Sequence, residues 1–397
     1  MRACLISTIV IMTFFVVILL LAGCGGESTR PRAQGVVCVN SLPERALIHL
    51  DALNTGKLTP DTLLVRQGMH TFTLTLDGYR DSTVSFSITH SDTISFDIKL
   101  VPLEGTLRWS EVPDVGATIF GVDFATLTYG CAVGENGRVF RTSDTGASWV
   151  ERSAGTLENL LSVSFFSSAV GWACGTHGVI FKTTNYGDAW DPMPSGNSRN
   201  LHDIFFVTAN NGWAVGDSGK ILRSTDGGLS WNPQNSGTTK GLSAVYFFSS
   251  TLGWAVGGYL PGEGQVILRT TSGGAIWSPV SPVSTACLRD VLFITSEIGF
   301  CVGDNGLILR STDGGISWDP VGSMGPLSLR ALAGWSNVDF WAVGDEYGAF
   351  GHVLRSIDGG LTWYQFEETP QALFCVDAVK GAPSGWAGGV GGLWGYK

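Results

Sequence analysis

The chain begins with a long apolar run and then changes to short segments in which apolar and polar residues alternate. Residues 5–21 are apolar except for three hydroxyl side chains. Further on, Phe72 and Leu74 alternate with threonines, and residues 82–100 show the same period of two. Such a period places successive side chains on opposite faces of a half-buried β-strand. We therefore predict a small β-sandwich over residues 36–101, preceded by a separate apolar leader.

A longer pattern recurs seven times after residue 105. Each copy has an apolar strand, then Gly-Trp-Ala-Val-Gly or a variant of it, a short turn, another strand and, in most copies, a turn of the form Ser/Thr-x-Asp-x-Gly-x-x-Trp. The closing glycines of successive variants are 41, 41, 41, 46, 41 and 45 residues apart. A period in the low forties is typical of a four-stranded β-propeller blade. These glycines are Gly134, Gly175, Gly216, Gly257, Gly303, Gly344 and Gly389.

The ends of the repeated region predict how the propeller closes. Six copies are complete, whereas the seventh lacks its last turn and its outer strand. The segment around Trp109 matches the segment around Trp231, and Trp109 lies 40 residues before Trp149. We expect residues 106–112 to supply the missing strand. The predicted fold class is all-β, a seven-bladed β-propeller over residues 105–397 with an N-terminal small β-sandwich.

The composition agrees with many short strands and narrows the choice of partners. The 397 residues include 54 Gly, 14 Trp and 21 Phe but only 24 Lys and Arg, which does not suit long helices or disorder. The formal net charge of −10 argues against a nucleic-acid partner. Six cysteines remain after Cys4 and Cys24, without a Cys-x-x-Cys pair or a metal-type histidine spacing. We predict no metal site and no cofactor, and we assign no disulfide pairing.

The first residues have the layout of a secretory signal, with a basic start, an apolar centre and small residues at the end. The stretch Leu21-Ala22-Gly23-Cys24 resembles the bacterial lipoprotein signal motif, which implies cleavage before Cys24 and lipid attachment to it. We therefore expect a signal peptide over residues 1–23 and a polar tether over residues 24–35. The alternative is an uncleaved membrane anchor, since the apolar run is nearly long enough to span a bilayer.

This resemblance also predicts where the protein is located. It implies a bacterial cell envelope, with the chain attached to the membrane through its N-terminal lipid. Gly25 follows the lipid-bearing position, in place of the Asp that marks inner-membrane retention in Gram-negative lipoproteins. In such a cell we expect the outer membrane.

The segment of residues 36–101 resembles the PEGA family of extracellular β domains. The Pro-Glu-Gly-Ala signature appears as Pro43-Glu44-Arg45-Ala46, with Arg45 in place of the glycine. The later Gly-Met-His and Gly-Tyr elements also match. The resemblance implies a spacer or adhesion-type module with no active site of its own.

The repeated turn has a chemistry that explains its residue types. An Asp carboxylate accepts backbone N–H groups, a glycine takes a positive φ, and a Trp buries a large ring between blades. The turn resembles the Asp-box of sialidases and other propellers. Together with Gly-Trp-Ala-Val-Gly it resembles the photosystem II assembly and stability factor-like repeat family. That family implies a seven-bladed propeller that binds a protein during assembly of a membrane complex.

One set of arginines recurs at the same place in five blades, with Lys182 in the sixth. Equivalent residues of a repeat lie on one ring, so these side chains can form a basic band that docks acidic groups. The alternative is structural, in which each arginine bonds a neighbouring turn, and repetition favours it. The candidate binding residues are Arg141, Arg223, Arg269, Arg310 and Arg355.

We predict a non-enzymatic, lipid-anchored protein whose propeller binds another envelope protein as an assembly or stability scaffold. No catalytic residue is assigned, because Gly216-Asp-Ser-Gly219 recurs as a blade turn and the Arg-Ile/Leu-Pro tripeptide of sialidases is missing. The alternatives are a surface propeller that binds or cleaves glycans, and a purely structural spacer. Asp203 and Asp290, with Arg289 and Arg330, are expected near the mouth of the central channel.

Overall fold

The computed structural model describes residues 34–42, 45–76, 79–89, 93–100, 109–112, 115–258, 263–334, 336–378 and 384–396. The predicted signal peptide, the lipid site Cys24 and residues 24–33 of the predicted tether lie outside these residues. So does the start of the predicted closing strand, up to residue 108. In the described part of the chain, no helix is both long and apolar enough to cross a membrane.

The N-terminal domain consists of two facing β-sheets. One has the order β4-β1-β7, in which β1 and β7 are parallel, and the other has the order β3-β2-β5-β6. Gln34 and Gly35, predicted to end the tether, already pair with β4. The strands are β1 (Gln34–Leu42), β2 (Leu47–Leu50), β3 (Leu53–Leu58), β4 (Asp61–Arg66), β5 (Gly68–Thr75), β6 (Ser82–Ile88) and β7 (Thr93–Lys99).

Alternation along these strands builds the core between the two sheets. Phe72 and Leu74 are fully buried, as predicted from their spacing. Val37 and Val39 reach the same core from the opposite sheet. The aromatic ring of Phe72 packs edge-on against Phe96, with ring centroids 5.1 Å apart.

Seven four-stranded antiparallel sheets follow within the described residues 109–396, and their first strands contact one another in a closed ring. We call them blades 1 to 7. Blades 1 to 4 contain β9 (Ile119–Phe124), β10 (Gly130–Gly134), β11 (Arg138–Thr142), β12 (Val150–Ser153), β13 (Leu160–Phe165), β14 (Gly171–Gly175), β15 (Ile180–Thr183), β16 (Asp191–Met193), β17 (Leu201–Phe206), β18 (Gly212–Gly216), β19 (Lys220–Ser224), β20 (Asn232–Gln234), β21 (Leu242–Phe247), β22 (Gly253–Gly257), β23 (Val266–Thr270) and β24 (Ser278–Pro279).

Blades 5 to 7 continue the pattern, and blade 7 takes its outer strand from the start of the propeller. That strand is β8 (Trp109–Glu111). The others are β25 (Leu288–Phe293), β26 (Gly299–Gly303), β27 (Leu307–Ser311), β28 (Asp319–Ser323), β29 (Ser328–Gly334), β30 (Phe340–Glu346), β31 (Phe350–Ser356), β32 (Tyr364–Thr369), β33 (Leu373–Ala378), β34 (Gly385–Gly389) and β35 (Gly392–Tyr396). The predicted all-β propeller class is confirmed.

The pairing of β8 with β35 joins the two ends of the propeller. Tyr396 lies opposite Trp109, and Trp394 lies opposite Glu111. The Val112 amide donates to the Leu393 carbonyl at 2.8 Å. Both Trp109 and Tyr396 are buried, so apolar packing accompanies the backbone pairing.

The tryptophans of the Gly-Trp-Ala-Val-Gly strands pack each blade onto the next one. In three consecutive blades the indole stacks on a phenylalanine of the next blade with ring centroids 3.4 Å apart, and its N–H donates to a carbonyl of the next Asp-box turn. The buried ring area and the satisfied N–H both hold neighbouring blades together. The stacked pairs are Trp172 with Phe206, Trp213 with Phe247, and Trp254 with Phe293.

The Asp-box turns have the predicted internal bonding. Asp226 accepts the Ser230 amide at 3.0 Å and the Ser230 hydroxyl at 2.5 Å, and Gly228 has a φ of 84°. Hydrogen bonds from Ser230 lower the pKa of Asp226 to about 2. Trp231 from this turn packs edge-on against Phe206, within the cluster that joins blades 2 and 3.

The turns divide the propeller into two faces. The Asp-box turns lie beside the connections of the first and second strands, since the Thr145 amide donates to the Thr128 carbonyl. We call this the Asp-box face. The turns between second and third strands lie on the opposite side, which we call the hairpin face. Asp217–Gly219 is one such turn, as expected for Gly216-Asp-Ser-Gly219.

Candidate functional site

The first strands of all seven blades line a central cavity of about 1100 Å³. Each of these strands begins at the hairpin face, so its second residue lies at that mouth and its fifth lies nearer the Asp-box face. The residues at this position are Phe120, Leu161, His202, Ser243, Arg289, Arg330 and Phe374, where Arg330 is the third residue of β29 because that strand starts one residue earlier. They divide the mouth into a polar half on blades 3 to 6 and an apolar half on blades 7, 1 and 2.

The cationic side chains of this mouth are held by carboxylates of their own blades. Arg289 donates to both oxygens of Asp304, at 2.9 and 2.8 Å. Arg330 donates through Nε to Asp345 at 2.7 Å, and its guanidinium lies 5.8 Å from the centroid of the Phe374 ring. These pairs fix the side chains in place and leave the mouth close to electrically neutral. The predicted position of both arginines near the channel agrees with the structure.

Asp203 and Asp290, the two acids expected in the channel, bridge adjacent blades. Asp203 accepts the Ile204 amide on its own strand and the Val245 amide of the next blade, at 2.9 and 2.8 Å. Asp290 accepts the Val291 amide on its own strand and the Leu332 amide of the next blade, each at 2.7 Å.

The environment of these two acids favours their neutral forms. Burial raises the pKa of Asp290 to about 7, and the charge of Asp203 adds to this shift. Burial also raises the pKa of Asp203. All four of their oxygens accept hydrogen bonds from the protein itself. A catalytic carboxylate pair needs an oxygen directed at its substrate, so this geometry indicates a structural role.

A second feature of the hairpin face is the long hairpin of blade 6. Strands β30 and β31 continue their pairing to Glu346 and Phe350. At the tip, Tyr347 has a φ of 53° and 83% of its surface is exposed, while Phe350 is 58% exposed. A bulky residue at positive φ is strained, and such strain concentrates at functional sites. We call residues 345–350 the blade 6 hairpin.

Asp345 connects the blade 6 hairpin to the channel mouth. Its side chain is buried, and it accepts hydrogen bonds from Arg330 Nε and from the Gly348 amide, at 2.7 and 2.6 Å. The hairpin that carries the exposed rings of Tyr347 and Phe350 is therefore tied to the polar half of the mouth. The blade 6 hairpin was not predicted from the sequence. The signal was the 45-residue spacing between Gly344 and Gly389, four residues longer than the usual period.

The arginines predicted as a basic band lie on the third strands, and two of the five bond to the next blade. Arg141 pairs with Asp188 of the next Asp-box at 2.5 Å, and Arg269 donates to the Gly314 carbonyl at 2.7 Å. Lys182 donates to the Gly227 carbonyl at 2.8 Å in the same way.

The other three predicted arginines pack on aromatic rings. Arg223 lies over Trp213 and Arg310 over Phe300, whereas Arg355 lies over Trp341 and pairs with Asp339 of its own blade. The bonds of Arg141, Arg269 and Lys182 thus join neighbouring blades, whereas these three arginines contact their own blades. A docking role for the five arginines stays a prediction.

The described cysteines have no disulfide partner. Cys131, Cys174 and Cys301 are buried, as expected for small apolar residues of the second strands. Within the described part of the chain, no three His, Cys, Asp or Glu side chains are grouped in a way that could hold a metal ion.

Comparison with protein families matches the two parts of the chain separately. Residues 102–198 and 193–286 match the family described as photosynthesis system II assembly factor YCF48. Residues 34–104 match the PEGA domain. No curated protein matches the chain.

Solved structures agree with the fold. A structure of YCF48 bound to a D1 peptide is 22% identical with a TM-score of 0.60, covering 74% of this chain and 96% of that one. YCF48 from Cyanidioschyzon merolae is 21% identical with a TM-score of 0.59, covering 72% and 98%. The GH74 enzyme of Niastella koreensis is 14% identical with a TM-score of 0.59, covering 70% of this chain and 52% of that one.

At these identities the likeness of structures shows the propeller fold alone, whereas the family matches identify the repeats and the domain before them. The predicted resemblance is confirmed: residues 102–286 of the repeats match the family of the photosynthesis system II assembly factor YCF48, and the domain before them matches the PEGA domain.

Proposed function

We propose that this protein is a non-enzymatic scaffold, attached to the bacterial envelope through a lipid on Cys24, whose propeller binds another envelope protein at the hairpin face. The observation that carries the proposal is the blade 6 hairpin. Exposed Tyr347 and Phe350 lie in the hairpin whose Asp345 accepts a hydrogen bond from Arg330, and tyrosine and arginine are among the residue types that dominate the energy of protein interfaces.

The family supports a protein partner over other classes. The similar YCF48 structure holds a D1 peptide, and we extend that only to the class of partner, namely a segment of another protein. An apolar ring of the partner would pack on Tyr347 and Phe350. Its polar groups would meet Arg330 and Arg289 at the mouth, where the protein's own carboxylates already balance the charge.

A surface glycan is the second candidate. Exposed aromatic rings also stack on sugars, and a GH74 enzyme shares the fold. The acids of the channel argue against glycan cleavage, because the carboxylate oxygens of Asp203 and Asp290 already accept hydrogen bonds that join neighbouring blades. We therefore place glycan recognition below protein binding.

The test is capture of a partner from membranes of the native host by the lipidated protein carrying a photoreactive side chain at Phe350. We expect one main crosslinked protein. Unlabelled protein added as a competitor should reduce this crosslink. The unlabelled Tyr347→Ala variant should compete less effectively, by about tenfold or more, since a hot-spot aromatic contributes about 2 kcal/mol.

Ile276→Ala is the matched control, because Ile276 is 69% exposed in an Asp-box turn on the other face. It should compete like the unaltered protein. The proposal would be overturned if the Tyr347 variant competed as well as the unaltered protein. It would also be overturned if soluble envelope glycans, added before illumination, prevented the crosslink.

A further inference from the structure

Arg45 stands where the PEGA signature has glycine, and its backbone has the conformation that glycine favours. Its φ is 68°. A residue with a Cβ loses about 1–2 kcal/mol in this left-handed region relative to its usual conformations. The Nε atom of Arg45 is also buried and has no hydrogen-bond partner among the described residues. Both are local costs, so an interaction elsewhere must offset them.

The head of the Arg45 side chain provides that interaction by crossing to the propeller. Its Nη1 donates to the Thr362 hydroxyl at 2.8 Å and lies 3.8 Å from an oxygen of Asp358. The guanidinium also lies 5.7 Å from the centroid of the Tyr364 ring. Thr362 and Asp358 belong to the Asp-box turn of blade 6, and Tyr364 begins its outer strand. One side chain of the PEGA domain thus makes three polar contacts with one blade.

The electrostatics of the turn agree with this contact. Burial alone would raise the pKa of Asp358, but hydrogen bonds from Thr362 and Ser356 and the charge of Arg45 leave it lowered. The carboxylate therefore stays ionised opposite the guanidinium. A charge-assisted hydrogen bond in a partly buried place is stronger than a neutral one.

A second PEGA residue lies at the same place. Tyr79 is partly buried, and burial together with the charge of Glu367 raises the pKa of its phenol. Tyr364 and Tyr396 also act on it. Glu367 accepts the Trp109 amide at 3.2 Å. The PEGA domain therefore meets the propeller next to the strands β8 and β35 that close it.

We propose that Arg45 is the positioning residue that fixes the PEGA domain against blade 6, so that the two domains behave as one rigid body. The replacement of the signature glycine gives the domain a side chain long enough to reach Asp358. Without it, the PEGA domain would keep only its weaker contacts with the outer strand of blade 6. This proposal does not depend on the partner or on the lipid anchor.

The test uses Arg45→Gly in the whole mature chain. Glycine suits the backbone at this position, so the PEGA domain should fold. We expect amide hydrogen exchange in residues 364–369 to become about tenfold faster, and X-ray scattering to show a larger radius of gyration. Exchange in residues 68–75 of the PEGA core should stay unchanged. Arg80→Gly, which removes an exposed arginine of the same domain, should change neither measurement.

A second pair of variants separates docking from the stability of the turn. Thr362→Val removes the Arg45 contact and a bond to Asp358. Ser317→Val removes the equivalent bond to Asp313 in blade 5, where no PEGA contact exists among the described residues. Only the first should enlarge the radius of gyration. The proposal would be overturned if Arg45→Gly had the amide exchange rates and the radius of gyration of the wild type. It would also be overturned if the two turn variants had equal radii of gyration.

Discussion

At the scale of the residue, the inner wall of the propeller depends on acids that accept hydrogen bonds from the next blade. Asp203 and Asp290 do so in the middle of the channel, and Asp123 and Asp377 do so nearer the Asp-box face. Each carboxylate satisfies a backbone N–H that faces the channel. Burial raises the pKa of Asp203 and of Asp290, so ionisation of these two acids destabilises the fold.

The pKa of Asp290 predicts how stability depends on pH. Its value of about 7 lies above that of an unfolded Asp, so the folded state holds the proton more tightly. The stabilising contribution is complete below about pH 4 and is lost as the pH rises through 7, by a few kcal/mol at most. Urea unfolding at pH 5, 6, 7 and 8 should show this loss.

Asp290→Asn should reduce the fall in the free energy of unfolding between pH 5 and pH 8. Asp319→Asn, on an exposed outer strand, should leave it unchanged. A difference between Asp290→Asn and the parent that stays constant from pH 5 to 8 would contradict the prediction.

Some of these residue roles were visible in the sequence. The Asp-box residues repeat with fixed spacing, so the bonds made by Asp226 and the positive φ of Gly228 could be predicted. Asp203 and Asp290 could be placed near the channel, but their bridging role could not be predicted. They recur in only some blades, and the amide that each one accepts lies 42 residues further along the chain.

At the scale of the element, the repeat predicts the strands well because every blade buries the same strand positions. The second strands are buried on both sides, and five of their large aromatic side chains are Trp172, Trp213, Trp254, Trp341 and Trp386. The stacking of these rings on the next blade was not predicted, because it depends on how blades face each other. The blade 6 hairpin was missed for a related reason, since an insertion in a repeat does not say which turn it lengthens.

The closing strand pair gives a prediction at this scale. Removing residues 385–397 takes away β34 and β35 and leaves Trp109 without a strand to pair with. We expect the thermal transition, followed by tryptophan fluorescence, to lose its cooperativity and to begin well below that of the whole chain. Removing Lys397 alone should leave the transition as it was. A cooperative, unshifted transition for the longer deletion would show that β35 does not close the propeller.

At the scale of the whole molecule, the chain places a PEGA domain between the predicted membrane anchor and the propeller. Residues 24–33 span at most about 35 Å when extended. The contact of Arg45 with blade 6 would then determine which side of the propeller lies nearest the predicted lipid. The sequence predicted both domains but not their contact, since nothing in a pattern of alternation says which surfaces of two domains meet.

The anchor is tested by Cys24→Ser. Because the thioether lipid is attached through sulfur, the serine variant should lose incorporation of labelled fatty acid and leave the membrane fraction. Cys38→Ser, in β1 of the PEGA domain, should keep both. Continued labelling of the Cys24 variant would reject the site, and membrane retention without labelling would favour the uncleaved anchor.

The pairing of Trp109 with Tyr396 has a consequence for synthesis and export. The ribosome makes Trp109 287 residues (396 − 109) before Tyr396, its partner in the sheet, so β8 waits for nearly three quarters of the chain to be synthesised. Until then six blades have all four of their strands, whereas blade 7 is incomplete and the ring is open. A premature stop codon in the last dozen triplets would therefore leave an open ring, which surveillance proteases would recognise as a failure of the entire product.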